Sequence, residues 1–94
     1  MPASVTIEFD VTVTIDGKEY NNITLREPLV KDSIEAADAT NSPAAQEAYL
    51  IGILSGQGAA FIGKLPIKQY QKIINEFSVF FSSLQIAATD SAAP

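Results

Sequence analysis

Val5, Ile7, Phe9, Val11, Val13 and Ile15 take every second position, with Thr6, Glu8, Asp10, Thr12 and Thr14 between them. An alternation of this length sorts side chains onto two faces with period 2, which a helix cannot do, so the chain opens on a half-buried strand. Asp16-Gly17 follows at once. That dipeptide suits a two-residue type I′ turn, whose central residues both need positive φ. A return strand is expected from Lys18 to about Leu25, giving a hairpin over residues 5–25.

The register of this hairpin carries a conflict. If Ile15 pairs with Lys18, then Val13 lies opposite Tyr20, yet Ile23 and Leu25 have the opposite parity to Tyr20. A bulge at Asn21-Asn22 would return Ile23 and Leu25 to the face carrying Val11 and Phe9, which are expected to meet the helical layer. The alternative is a strand with both faces partly covered.

Pro28 cannot donate to a ladder and holds Glu27 out of helical geometry, so the hairpin ends there. From about 29 to 39 Val30, Ile34 and Ala37 recur at helical spacing, with Asp32 and Glu35 near the positive end of the helix dipole. Thr40-Asn41 breaks this segment. Ser42-Pro43 then reads as N-cap and first-turn proline of a second helix, over 43–55, which Gly56 terminates. Gln57 to Gly63 is read as a Gly-rich connection whose Phe61 and Ile62 are expected to tuck back onto the core; its glycine spacing fits neither the dinucleotide fingerprint nor the Walker loop. A last helix is expected over about 66–86. The fold class is therefore α+β, an N-terminal β-hairpin followed by three α-helices. One domain of residues 1–86 is expected, with 87–94 as a flexible tail.

Composition narrows the chemistry. The chain has no His and no Cys, which removes imidazole bases, thiolates, disulfides and Cys/His zinc sites. The carboxylates are scattered. Pairs such as Asp10 with Asp16, or Glu35 with Asp38, read as ordinary surface charge, so no enzyme, cofactor or metal site is expected. Six basic residues against 11 acidic ones leave a net charge of −5, the wrong sign for phosphate, so no nucleic-acid partner is expected. Glu8 and Asp10 interrupt the N-terminal apolar run, which excludes a signal-peptide pattern. The longest uncharged stretch, Ala48 to Gly63, is shorter than the roughly 20 residues that span a bilayer.

The informative surfaces are apolar. At 100° per residue, Ile67, Tyr70, Ile73, Ile74, Phe77, Phe80, Phe81 and Leu84 fall within an arc of about 140° on the last helix. Each such side chain left in water forgoes roughly 1.5 to 3 kcal/mol, and a hairpin with two short helices offers little area to cover them all. On the second helix Ala44, Ala48, Gly52 and Gly56 form a small-residue ridge. The ridge either receives the chain's own last helix or meets another protein. Tyr70, Ile73, Phe77, Phe80 and Phe81, with Ala48 and Gly52 beside them, are the candidate partner or self-association surface. A homo-oligomer is expected.

The run from Asp16 to Pro28, which ends in Thr24-Leu25-Arg26-Glu27-Pro28 and is continued by Val30, Asp32 and Ile34, resembles a known family. It is similar to the small tail assembly chaperones of Mu-like and related contractile-tailed bacteriophages and prophages. Leu65 and Tyr70 look like that family's later Leu and Tyr motif. The likeness covers about residues 5 to 81 and is dense from Asp16 to Ile34. It departs at the Gly-rich Gln57 to Gly63 and at Gln69, which stands where an acidic residue is usual. The resemblance implies a non-catalytic protein of the host cytoplasm that coats the tape measure protein before the tail tube forms around it. The tail tube protein is then a further candidate partner. The alternatives are a structural tail or connector subunit, or a small regulatory or adaptor domain.

Overall fold

In a computed structural model the described residues are 3–92, with side chains through residue 82. β1 (Ser4–Ile15) and β2 (Lys18–Arg26) pair antiparallel. α1 (Val30–Ala39), α2 (Pro43–Ser55), a single turn α3 (Ala59–Gly63) and the long α4 (Ile67–Ala92) follow. This is the α+β hairpin-and-helices class, with one short helix more than the sequence suggested. The turn residues Asp16 and Gly17 both have positive φ, 52° and 80°, as the type I′ geometry requires.

The hairpin buries Ile7, Phe9, Val13, Ile15, Ile23 and Leu25 against Ile51 and Leu54 of α2, Ile62, Leu65 and Ile73. Val13 faces Tyr20, while Ile7 faces Ile23 and Val5 faces Leu25. The phase change on β2 falls at Asn21-Asn22, both of which are exposed. The extra residues, however, lie on β1. Between the pairs Glu8–Asn22 and Val13–Tyr20, residues 9 to 12 of β1 stand opposite Asn21 alone. This corrects the expectation for Val11, which is 59% exposed and does not meet the helical layer as Phe9 does. The bulge turns Val11 outward and frees the Asp10 N–H, which donates to Gln69 Oε1 of α4 at 3.1 Å.

Gln57 to Gly63 is not a bare connection. Ala59–Gly63 forms a helical turn that places Ile62 in the core and Phe61 edge-on to Tyr20, with ring centroids 4.9 Å apart. The turn fits because Gly52 has no side chain. A Cβ there would lie 2.6 Å from the Gly58 carbonyl carbon and from the Ala59 nitrogen.

α2 starts on Ser42, whose Oγ accepts from Ala45 N at 3.4 Å, and stops at Gly56 with φ 75°. α1 is turned in an unexpected sense. Asp32 and Ala36 are its buried residues, whereas Val30, Ile34 and Ala37, the apolar set at helical spacing, face outward. The cause is a clamp. Arg26 donates to both oxygens of Asp32, at 2.8 and 2.9 Å, and Asp32 Oδ2 also accepts from Leu29 N at 2.7 Å. Two charge-assisted bonds and a helix cap fix the rotation of a short helix more firmly than two aliphatic side chains do.

α4 passes the expected helix end at about 86 and reaches Ala92. The tail expected over 87–94 falls on residues whose side chains lie outside the described set. No described helix is long and apolar enough to cross a membrane.

Candidate partner-binding groove

The groove is set by how α4 docks on β1. Gln69, only 4% exposed, takes the free Asp10 N–H, and Lys72 Nζ pairs with the Asp10 carboxylate at 2.9 Å. These contacts aim Ile73 directly into the core, where it is fully buried. Helical spacing then turns Tyr70, Ile74 and Phe77 toward one flank, where they pack half-buried at the margin of the core.

Along that flank α1, α2 and α4 enclose an open groove of about 380 Å³. Leu50 and Ile51 of α2 form its floor, Ala36 and Ser33 its α1 wall, and Ile74 and Phe77 its α4 wall. Phe81, 40% exposed, stacks on Phe77 with centroids 6.0 Å apart and prolongs the apolar strip. Phe80 is half-buried one position earlier. Among the described residues Phe77 is the last α4 side chain packed on the core, and the helix continues well past it.

The candidate residues thus separate. Phe77 and Phe81 lie along the groove, and Phe80 lies beside them. Ile73 is core. Gly52 abuts the chain's own Gly58-Ala59 backbone, so neither it nor Ile73 offers a surface to a partner in this conformation. Ala48 and Tyr70 border a smaller hollow of about 200 Å³ with Ile62, Leu65 and Ile67. Between the two hollows the Tyr70 hydroxyl donates to Glu47 Oε1 at 2.8 Å. Burial, reinforced by the Glu47 carboxylate, pushes the Tyr70 phenol far above its ordinary value, so it stays protonated.

The Leu25-Arg26-Glu27-Pro28 stretch is a structural corner. Leu25 is fully buried, Arg26 holds Asp32 and donates to Glu27 O at 3.1 Å, and Glu27 N donates to Ala3 O at 2.9 Å. Pro28 is half-buried where the chain leaves the hairpin.

Sequence reasoning overlooked Leu50 and Glu47 in the groove, as well as the outward Val30 and Ile34. The small-residue ridge drew attention to the opposite side of α2, and only the α1 clamp reveals which face is open. Among the described residues no three carboxylates converge on a metal position. What the groove offers is an open trough with an apolar floor and polar edges.

A family model described as "Phage tail assembly chaperone proteins, E, or 41 or 14" matches residues 6–82, which contain the clamp, the described lining of the groove and all but the first two residues of the hairpin. No curated protein and no solved structure matches the chain.

Proposed function

The chain belongs to the phage tail assembly chaperone family, and from that premise we propose that it binds amphipathic helical segments of the tape measure protein and keeps that protein soluble until tail tube subunits displace it. The supporting observation is the trough between α1, α2 and α4, which is apolar at its floor and open along its length. A client helix seated there would cover Leu50, Ile74, Phe77 and Phe81, each contributing some fraction of the roughly 1.5 to 3 kcal/mol of full burial. Many copies, each of modest affinity, can coat a long client and still be removed. On this reading the protein works in the host cytoplasm and without catalysis.

Co-expression with the tape measure protein tests this. The client is expected to be soluble and to co-elute with this chain on gel filtration. Phe81→Glu should cut recovery of the complex about tenfold, with the variant's own unfolding transition unchanged because Phe81 lies beyond the core. A client equally soluble with and without the chain, together with the chain's presence in purified mature particles, would replace the chaperone reading with that of a structural tail subunit.

The free protein is further proposed to self-associate through α4 around Phe80 and Phe81, beyond Phe77, the last described side chain packed on the core. Sedimentation at micromolar concentration should show a dimer or larger species. Phe80→Asp should shift it toward monomer while circular dichroism stays native. A wild type that is monomeric at high concentration refutes this.

A further inference from the structure

We propose that the helix seated in the groove carries lysine or arginine beside its apolar stripe, and that Glu47 is the carboxylate that receives it. The inference rests on the client-binding reading and adds the partner's chemistry to it.

Among the described residues Glu47 is the one charged side chain lining the groove. Its Oε1 accepts from the Tyr70 hydroxyl, while its second oxygen takes no hydrogen bond from the described residues. It is thus held in place and left with unused acceptor capacity at the edge of an apolar floor. Glu47 is itself exposed, so a cation pairing there stays hydrated and adds a modest preference to the apolar contacts.

The surrounding field has the same sign. α1 and α2 carry Glu35, Asp38 and Glu47 against Lys31, while Asp32 is already neutralised by Arg26. Lys64 and Lys72 are engaged elsewhere, with Asp16 and Asp10 of the hairpin. Lys68 on α4 offsets part of this charge, and the excess of acidic residues is shared by the hairpin and the helices, so it is the chain's net charge of −5 as a whole that favours a basic partner.

Exposed apolar side chains also continue outside the groove on α1. Going round α1 from the buried Ala36 at 100° per residue, Ser33, Ala37, Val30 and Ile34 follow in order. Val30 and Ile34, 78% and 57% exposed, thus add apolar surface on the outer face of α1, past Ser33 of the groove wall. A second copy of this chain is a poor occupant. Its own apolar helix has no Lys or Arg after Lys72 and would bring Glu76 toward an acidic site.

Fluorescence anisotropy with two designed peptides tests the proposal. Both carry the same leucine stripe on a helical scaffold; one has lysines flanking the stripe, the other glutamates. Wild type is expected to bind the lysine peptide about tenfold more tightly, with the difference shrinking in about 0.5 M salt. Glu47→Gln retains an acceptor for Tyr70, so it should fold normally while weakening the lysine peptide about threefold and, with a like charge removed, binding the glutamate peptide no more weakly than wild type does. Phe81→Glu should weaken both. Equal affinity for the two peptides, or a Glu47→Gln variant that binds like wild type, overturns the charge preference; if the tape measure complex still survives gel filtration, the chaperone reading stands without it. Binding of neither peptide, with sedimentation showing a dimer that Leu50→Glu dissolves, overturns the proposal in favour of a second copy in the groove.

Discussion

Gly52→Ala is expected to destabilise the protein by about 3 kcal/mol, the range of overpacking with backbone displacement. Ordinary helix energetics predict the opposite sign, since alanine in a helix interior is favoured over glycine by about 1 kcal/mol. Here the added methyl would meet backbone. The Gly58 carbonyl carbon and the Ala59 nitrogen stand 2.6 Å from its position and the Gly58 carbonyl oxygen 2.9 Å, with Gly58 N already bonded to Gly52 O at 3.1 Å. No flexible side chain can swing aside. α3 would have to lift from α2, withdrawing Ile62 from the core and Phe61 from Tyr20. Gly63→Ala is the control, because a Cβ there meets nothing within 4 Å; it should be neutral or slightly stabilising. Urea unfolding of the two variants settles the matter, and a Gly52→Ala protein as stable as wild type would mean that α2 and α3 do not pack as described.

That result bears on how much a residue pattern conveys. The hairpin was legible because it depends on local rules: period 2 for the strand, and a turn dipeptide that tolerates positive φ. The spacing of glycines and alanines on α2 correctly signalled close approach but not of what. A ridge of small residues states a distance, and the identity of the neighbour depends on how the chain returns. At Gly52 the neighbour is the next turn of the same chain, whereas Ala44 and Ala48 share a hollow with Ile67 and Tyr70 of α4. α1 shows the converse failure. Its apolar spacing marks a helix, yet the buried face follows the Arg26–Asp32 clamp and not the aliphatic stripe. In the candidate site the arc on α4 was visible as a whole, and what divides it is a register set by Gln69 and Lys72 against the β1 bulge. No periodicity argument reaches that register, because it depends on a freed backbone N–H at Asp10 on an element distant in sequence.

The clamp itself predicts the second large effect. Asp32→Ala should cost about 3 kcal/mol at neutral pH, since it removes a nearly buried carboxylate that caps α1 and holds Arg26, leaving Leu29 N–H without its acceptor. The hydrogen bonds from Arg26, helped by the Leu29 N–H and opposed by burial, hold the Asp32 carboxyl at about 2, below its ordinary 3.8. A depressed carboxylate pKa means that the unfolded chain takes up this proton first, so the contribution is complete above about pH 4 and fades as pH falls toward 2. A shift of this size corresponds to roughly 2 kcal/mol. Other carboxylates titrate in the same window, so the informative quantity is the stability difference between wild type and variant. That difference should be largest at pH 6 to 7 and should narrow by about 2 kcal/mol near pH 2. A gap that stays constant with pH would show that Asp32 contributes through packing alone. The groove should register the loss as well, because α1 forms one of its walls and has little else to fix its rotation. Once the clamp is gone, Val30 and Ile34 are free to turn inward and close the trough, so Asp32→Ala is expected to lose client binding under conditions where it remains folded.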